Sequence, residues 1–171
     1  MMQKKVQIIS DGSLDLSQEL TKEKDIEVVP FYVSFDSETY QKEMVEVGVR
    51  EFYQEMVDHP TVFPKTSMPS VHDYYEVFEK YAKEQLPVIC ICITRKFSGS
   101  LQSATTAKDM ILEEYPDAQI TVIDSTVNTV LQGLYVLEAC RLRDMGLEYQ
   151  QIVDALLPIR ETGRIFFTIG S

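Results

Sequence analysis

The chain predicts an α/β fold, an open, mostly parallel sheet with helices on both faces. Three observations carry that expectation. Strand-like and helix-like segments alternate along the sequence, the order from which parallel βαβ units are built. The run "LPVICICI" (86–93) is apolar at consecutive positions, as in a strand buried on both faces. Three small polar turns, "SDGSLDLS", "TRKFSGS" and "DSTVNT", each follow a strand-like segment. Right-handed crossovers bring such turns to one edge of the sheet, where open α/β folds bind ligands.

The elements follow in order. "KKVQIIS" (4–10) reads as a strand ended by the Asp11-Gly12 turn, with a short helix from Ser17. "IEVVPFYVSF" (26–35) is a second extended segment, in which Pro30 favours an edge position because it has no N–H to donate. "VREFYQEMVDH" (49–59) is helical in period, with Val49, Phe52 and Met56 on one side. Ser70 and Asp73 have capping-box spacing ahead of "VHDYYEVFEKYAKEQ", and Tyr74, Val77, Phe78 and Tyr81 recur there at core-facing intervals. Beyond strand 86–93, a helix over 99–115, a strand over 118–124 and helices over 132–146 and 148–161 complete the pattern, with Gly146 ending the first of these helices. "RIFFTIGS" (164–171) reads as a further strand.

Composition narrows the function. At 171 residues, 44% hydrophobic and 25% charged, the chain has the make-up of one soluble domain. Its formal net charge of −11 opposes nucleic-acid binding, which needs a basic surplus on one face. The longest apolar run is too short to span a bilayer, and "MMQKKVQIISDG" lacks a signal peptide's apolar region, so a cytoplasmic address and no stable membrane insertion are expected. Cys90, Cys92 and Cys140 sit in apolar segments and read as buried reduced thiols, with Cys90 and Cys92 on one face of their strand. His59 and His72 join no cysteine cluster, so no metal site is expected.

Two stretches carry candidate chemistry. In "PKTSMPS" (64–70), Pro64 and Pro69 stiffen a segment that displays Thr66 and Ser67. In "FSGS" (97–100), Gly99 lies between Ser98 and Ser100 at a helix N-terminus, where unpaired N–H groups and the helix dipole favour an anion. Simple capping explains such a turn more often than anion binding does. Asp11, Ser13 and Asp15 suit a cation or acid–base chemistry, but carboxylates at such turns usually cap backbone, and the same holds for Asp124 and Ser125. No Ser-His-Asp or Cys-His set can be assembled. The residues alone describe a hydroxyl-rich anion cradle without a nucleophile, base or metal.

Several stretches together, "SDGSLDLS", "VVPFYVSFDSETY", "KTSMPS", "ITRKFSGSLQSATTA", "VIDSTVNTVLQGLYVLEA" and "RIFFTI", resemble the DegV family of bacterial fatty-acid-binding proteins. That resemblance implies a non-catalytic carrier, without cofactor, that presents long-chain fatty acid to an acyl-phosphorylating fatty acid kinase for phospholipid synthesis. It implies that Thr66 and Ser98, beside Gly99, hold the carboxylate, with Ser67 and Ser100 as second members. An ionised carboxylate leaving water needs charge-assisted hydrogen bonds, and an apolar tunnel adds about 0.8 kcal/mol per buried CH₂. Gly12, Leu101, and Thr94 with Arg95 depart from the family pattern, which has a serine, an aromatic residue and two serines there. The resemblance also implies that residues 1–163 form the lipid-binding domain and 164–171 the first strand of a missing second domain; the chain is then expected either to self-associate through that apolar edge or to be a truncated product with weak lipid affinity. Two other classes remain open: an enzyme acting on a small phosphorylated or carboxylated metabolite through Asp11 and Asp15, and an interaction domain that binds no lipid.

Overall fold

The computed structural model describes residues 5–166. Its centre is a four-stranded parallel sheet of β1 (Gln7–Asp11), β2 (Ile26–Val29), β6 (Val88–Cys92) and β7 (Ile120–Asp124) in the order β2-β1-β6-β7. All five residues of β6 are buried, as its unbroken apolar run requires of an inner strand. Successive side chains alternate between faces. Ile89 and Ile91 therefore join Ile8 and Ile123 in one core layer against α5 (Thr129–Asp144) and α6 (Tyr149–Ile159). Cys90 and Cys92 join Ile9 in the other layer, against α3 (Val71–Lys83) and α4 (Ser100–Glu114). The three cysteines are free and buried.

The helix ends follow their sequence signals. The Ser17 side chain accepts from the Leu20 N–H to start α1 (Gln18–Glu23), and Ser70 and Asp73 form the reciprocal box that starts α3. Gly146, at φ +88°, provides the left-handed residue just beyond α5.

The segment 26–35 is not one strand. β2 stops at Val29, and after Pro30 the chain re-enters as β3 (Tyr32–Ser34) in a separate antiparallel sheet, order β4-β3-β5, with β4 (Gln41–Lys42) and β5 (Lys65–Ser67). Proline cannot continue the ladder, so β2 does occupy an edge, but the chain leaves the main sheet there. The helix expected over 49–59 forms as α2 (Val49–Asp58) and buries none of its residues; Phe52 packs its ring 5.2 Å from that of Phe35, while Val49 and Met56 stay exposed. Residues 164–166 form no strand, and the remainder of the strand expected over 164–171 lies outside the described residues. Among the described residues no helix is long and apolar enough to cross a membrane.

Candidate anion cradle at the carboxyl edge of the sheet

In the order β2-β1-β6-β7 the connections leave β1 and β6 in opposite directions, which places the crevice of an open α/β sheet between their carboxyl ends. The turn after β6 leads there into α4. Its N-cap is Gly99, which brings no side chain to cap the helix, so the first-turn N–H groups beyond that of Ser100 keep the character of a helix start. Ser98 Oγ accepts the Ser100 N–H at 3.2 Å. With a lone pair so occupied, the Ser98 hydroxyl retains its proton for an outside acceptor.

The segment holding Thr66 reaches this turn. Thr66 pairs with Val33 and Ser67 with Tyr32 on the edge of the small sheet. Tyr32 donates its hydroxyl to Asp73 Oδ1 at 2.7 Å, and Lys42 lies 3.4 Å from the same oxygen. Asp73 thus ties the start of α3 to β3, and so fixes both ends of the segment between them. Beyond β5, the Met68 side chain lies over Gly99: a Cβ added to Gly99 would stand 2.6 Å from Met68 Sδ. β5 is a strand, so Thr66 and Ser67 face opposite sides of it. Met68, the first residue beyond β5, is the one whose side chain meets Gly99.

Ser100 is placed differently from Ser98. It is fully buried, and its hydroxyl donates to Asp11 Oδ2 at 2.8 Å while standing 2.6 Å from the Tyr74 hydroxyl. Asp11 itself is fully buried. Its Oδ2 also accepts the Ile93 N–H at 2.9 Å, and its Oδ1 accepts the Gln132 side-chain amide at 2.8 Å and the Ser13 N–H at 3.3 Å. Burial holds the Asp11 carboxyl above the usual range against the lowering effect of these donors. Because Ser100 donates to Asp11, Tyr74 donates to Ser100, and the Cys92 thiol, 3.6 Å from the Tyr74 oxygen, lies next along the chain. Cys90 Sγ stands 3.8 Å from Cys92 Sγ, which is the shared strand face that their spacing predicts.

Asp15, at φ +54°, is exposed in a left-handed conformation after the Gly12–Leu14 turn. The capping role expected of Asp11 is present in its bond to Ser13, but the Ile93, Ser100 and Gln132 partners were invisible in the sequence. A saturated, buried acceptor of this kind suits structural work better than acid–base exchange with a substrate. Asp124 accepts the Thr126 N–H at 2.9 Å and Ser125 donates to the Val127 carbonyl at 3.0 Å, as turn structure requires. Among the described residues no cluster of His, Cys, Asp and Glu fits a metal ion.

Met68, Gln132 and Glu43 were not anticipated. Glu43 accepts the Phe31 N–H at 3.2 Å and reaches over Gly12, where an added Cβ would stand 2.0 Å from its Oε1. Gln132 left one signal, a polar side chain within the buried stripe of a helix. Two cavities lie elsewhere. One of about 170 Å³ is lined by Leu131, Tyr135 and Arg160, and one of about 490 Å³ by Tyr81, Tyr115 and Gln119 at the opposite edge of the sheet. Neither touches Thr66 or Ser98.

Fold and turn together define an α/β protein whose sheet carries, at its carboxyl edge, a hydroxyl-bearing helix start contacted by the segment that follows β5. Comparison with known proteins makes the class specific. A family model described as "Uncharacterised protein, DegV family" matches residues 5–171, and a DegV domain-containing protein of Clostridium acetobutylicum is 34% identical over 153 residues, 90% of this chain and 53% of the relative. The chain belongs to the DegV family. A stearic acid-binding protein from Eubacterium ventriosum superposes with a TM-score of 0.85 at 46% identity, covering 88% of this chain and 52% of that one. A fatty-acid-binding DegV family protein from Thermus thermophilus superposes at 0.77 with 29% identity, over 91% and 53% of the two chains. The chain therefore spans about half the length of the relatives that it matches.

Proposed function

We propose that this chain binds a long-chain fatty acid with its carboxylate at the start of α4. Ser98 donates its hydroxyl, Gly99 admits the anion to the backbone, and Thr66 approaches from β5. The observation that carries the reading is the contact of Met68 with Gly99, which joins the two hydroxyl-bearing segments at the crevice between β1 and β6. The stearic acid-binding protein at 46% identity supports the ligand class. Ser100, already donating to Asp11, serves by holding the turn, and Ser67 stands on the other side of its strand.

In this reading the protein is a non-catalytic cytoplasmic carrier that offers the bound carboxyl to a fatty acid kinase. The free, buried thiols accord with a reducing compartment. Organic extraction of the purified chain followed by mass spectrometry tests the ligand class. The expected result is a saturated or monounsaturated long-chain acid in stoichiometric amount. Protein that yields no acyl species and takes up no added palmitate contradicts it.

A further inference from the structure

We infer that Asp11 is a positioning residue for the anion cradle, one carboxylate oxygen clamping both ends of the turn that carries Ser98 and Gly99. The inference rests on the fatty-acid reading above. Oδ2 accepts the Ile93 N–H where the chain leaves β6 and the Ser100 hydroxyl where it enters α4. Ser98 and Gly99 lie between those two bonds, while Thr66 comes from β5 outside the clamp. The second oxygen, Oδ1, fastens the clamp to α5 through Gln132 and to its own turn through Ser13. Asp11 thereby joins β1, β6, α4 and α5 at the crevice, without facing a ligand itself.

The clamp depends on acceptor geometry more than on charge. Asparagine at position 11 can place its carbonyl oxygen where Oδ2 stands and keep both turn bonds. Its NH₂ then faces Gln132, whose Oε1 is buried without a partner and can accept from it once the Gln132 amide turns over. Asp11→Asn therefore keeps both turn bonds and the link to Gln132, gives up only the acceptor for the Ser13 N–H, and leaves no carboxylate beside the anion site. Asp11→Ala removes the clamp altogether.

The test is equilibrium binding of palmitate and of hexadecanol, which share an apolar chain and differ in head group, to the full chain and its variants. Asp11→Asn should bind palmitate at least as well as wild type. Asp11→Ala should lose palmitate affinity by about tenfold while hexadecanol changes by less than about threefold, the scale of one or two misplaced hydrogen bonds to a charged group. A folded Asp11→Ala protein that keeps wild-type palmitate affinity, or loses both ligands equally, overturns the inference. If Asp11→Ala does not fold, Ser100→Ala removes one arm of the clamp, and unchanged palmitate binding in that variant overturns it as well. A wild-type chain that binds palmitate no better than hexadecanol sinks the fatty-acid reading and this inference with it. Normal wild-type preference, retained by Asp11→Ala, sinks the inference alone.

Discussion

Met68 lies against Gly99 closely enough that the glycine's missing side chain is part of the contact, with 2.6 Å between an added Cβ and the Met68 sulfur. Gly99 is not held by backbone strain, since its φ is −80°. An alanine there is conformationally acceptable and must only displace the end of a flexible thioether. Gly99→Ala is thus expected to cost less than about 1 kcal/mol in stability, yet to push the β5 segment off the turn. Thermal melting and palmitate binding on the same preparation check this: a small shift in melting temperature should accompany a clear loss of affinity.

Gly133 makes the opposite case. An added Cβ would stand 2.3 Å from the Leu14 carbonyl oxygen, a backbone atom that cannot swing aside, where α5 packs on the turn after β1. Gly133→Ala is expected to destabilise the fold by about 1–3 kcal/mol, the usual cost of overpacking. Urea unfolding monitored by circular dichroism measures it.

Gly12 and Glu43 should be energetically coupled. A serine at position 12 puts its Cβ 2.0 Å from Glu43 Oε1 and must expel the carboxylate from the Phe31 N–H. Glu43→Ala frees the same N–H by another route. Each single change should cost about 1 kcal/mol, the scale of one partly buried hydrogen bond, and the double change clearly less than the sum. Additive losses in a double-mutant cycle would show that the two residues act independently.

Glu43 also predicts a pH dependence. Burial raises its carboxyl above the ordinary range, against the Phe31 hydrogen bond, and the negative charges of Asp11 and Asp15 add to the rise. A carboxyl raised in the folded state binds its proton more readily there than in the unfolded chain. Its contribution to stability is therefore fully present below the unfolded value, about 4.3, and is lost as pH rises through the folded one. Glu43→Gln keeps an acceptor for Phe31 and removes the charge. It should melt a few degrees above wild type at neutral pH, and the gap should close as the pH falls towards 4. A gap that widens on acidification contradicts this assignment.

Much of the main sheet was legible because its signals are local. The unbroken apolar run of β6, the Ser70-Asp73 capping box and the left-handed Gly146 each act over a few residues. The exchange of sheets at Pro30 was less so, because a proline marks an edge without saying where the chain goes next. Among candidate residues, the hydroxyls of Thr66 and Ser98 were visible as types in stiff or helix-starting segments, but the contact between their segments is made by Met68 and Gly99 across a long sequence gap. Ser67 and Ser100 read as second members of the two hydroxyl groups. The strand's two-residue period turns the first to the other side, and the second is taken up by Asp11. The Asp11 partners lie on three other elements, which no local spacing encodes.

Palmitate titration of wild type beside a Thr66→Ala/Ser98→Ala double variant tests the central claim most directly. Loss of two hydrogen bonds to a charged head group should weaken binding by about tenfold to a hundredfold, with hexadecanol affinity nearly unchanged and the melting temperature lowered only by the loss of the Ser98 bond to the Ser100 N–H, about 1 kcal/mol. Equal palmitate affinity in the two proteins would contradict the carboxylate site at the meeting of β5 with the start of α4.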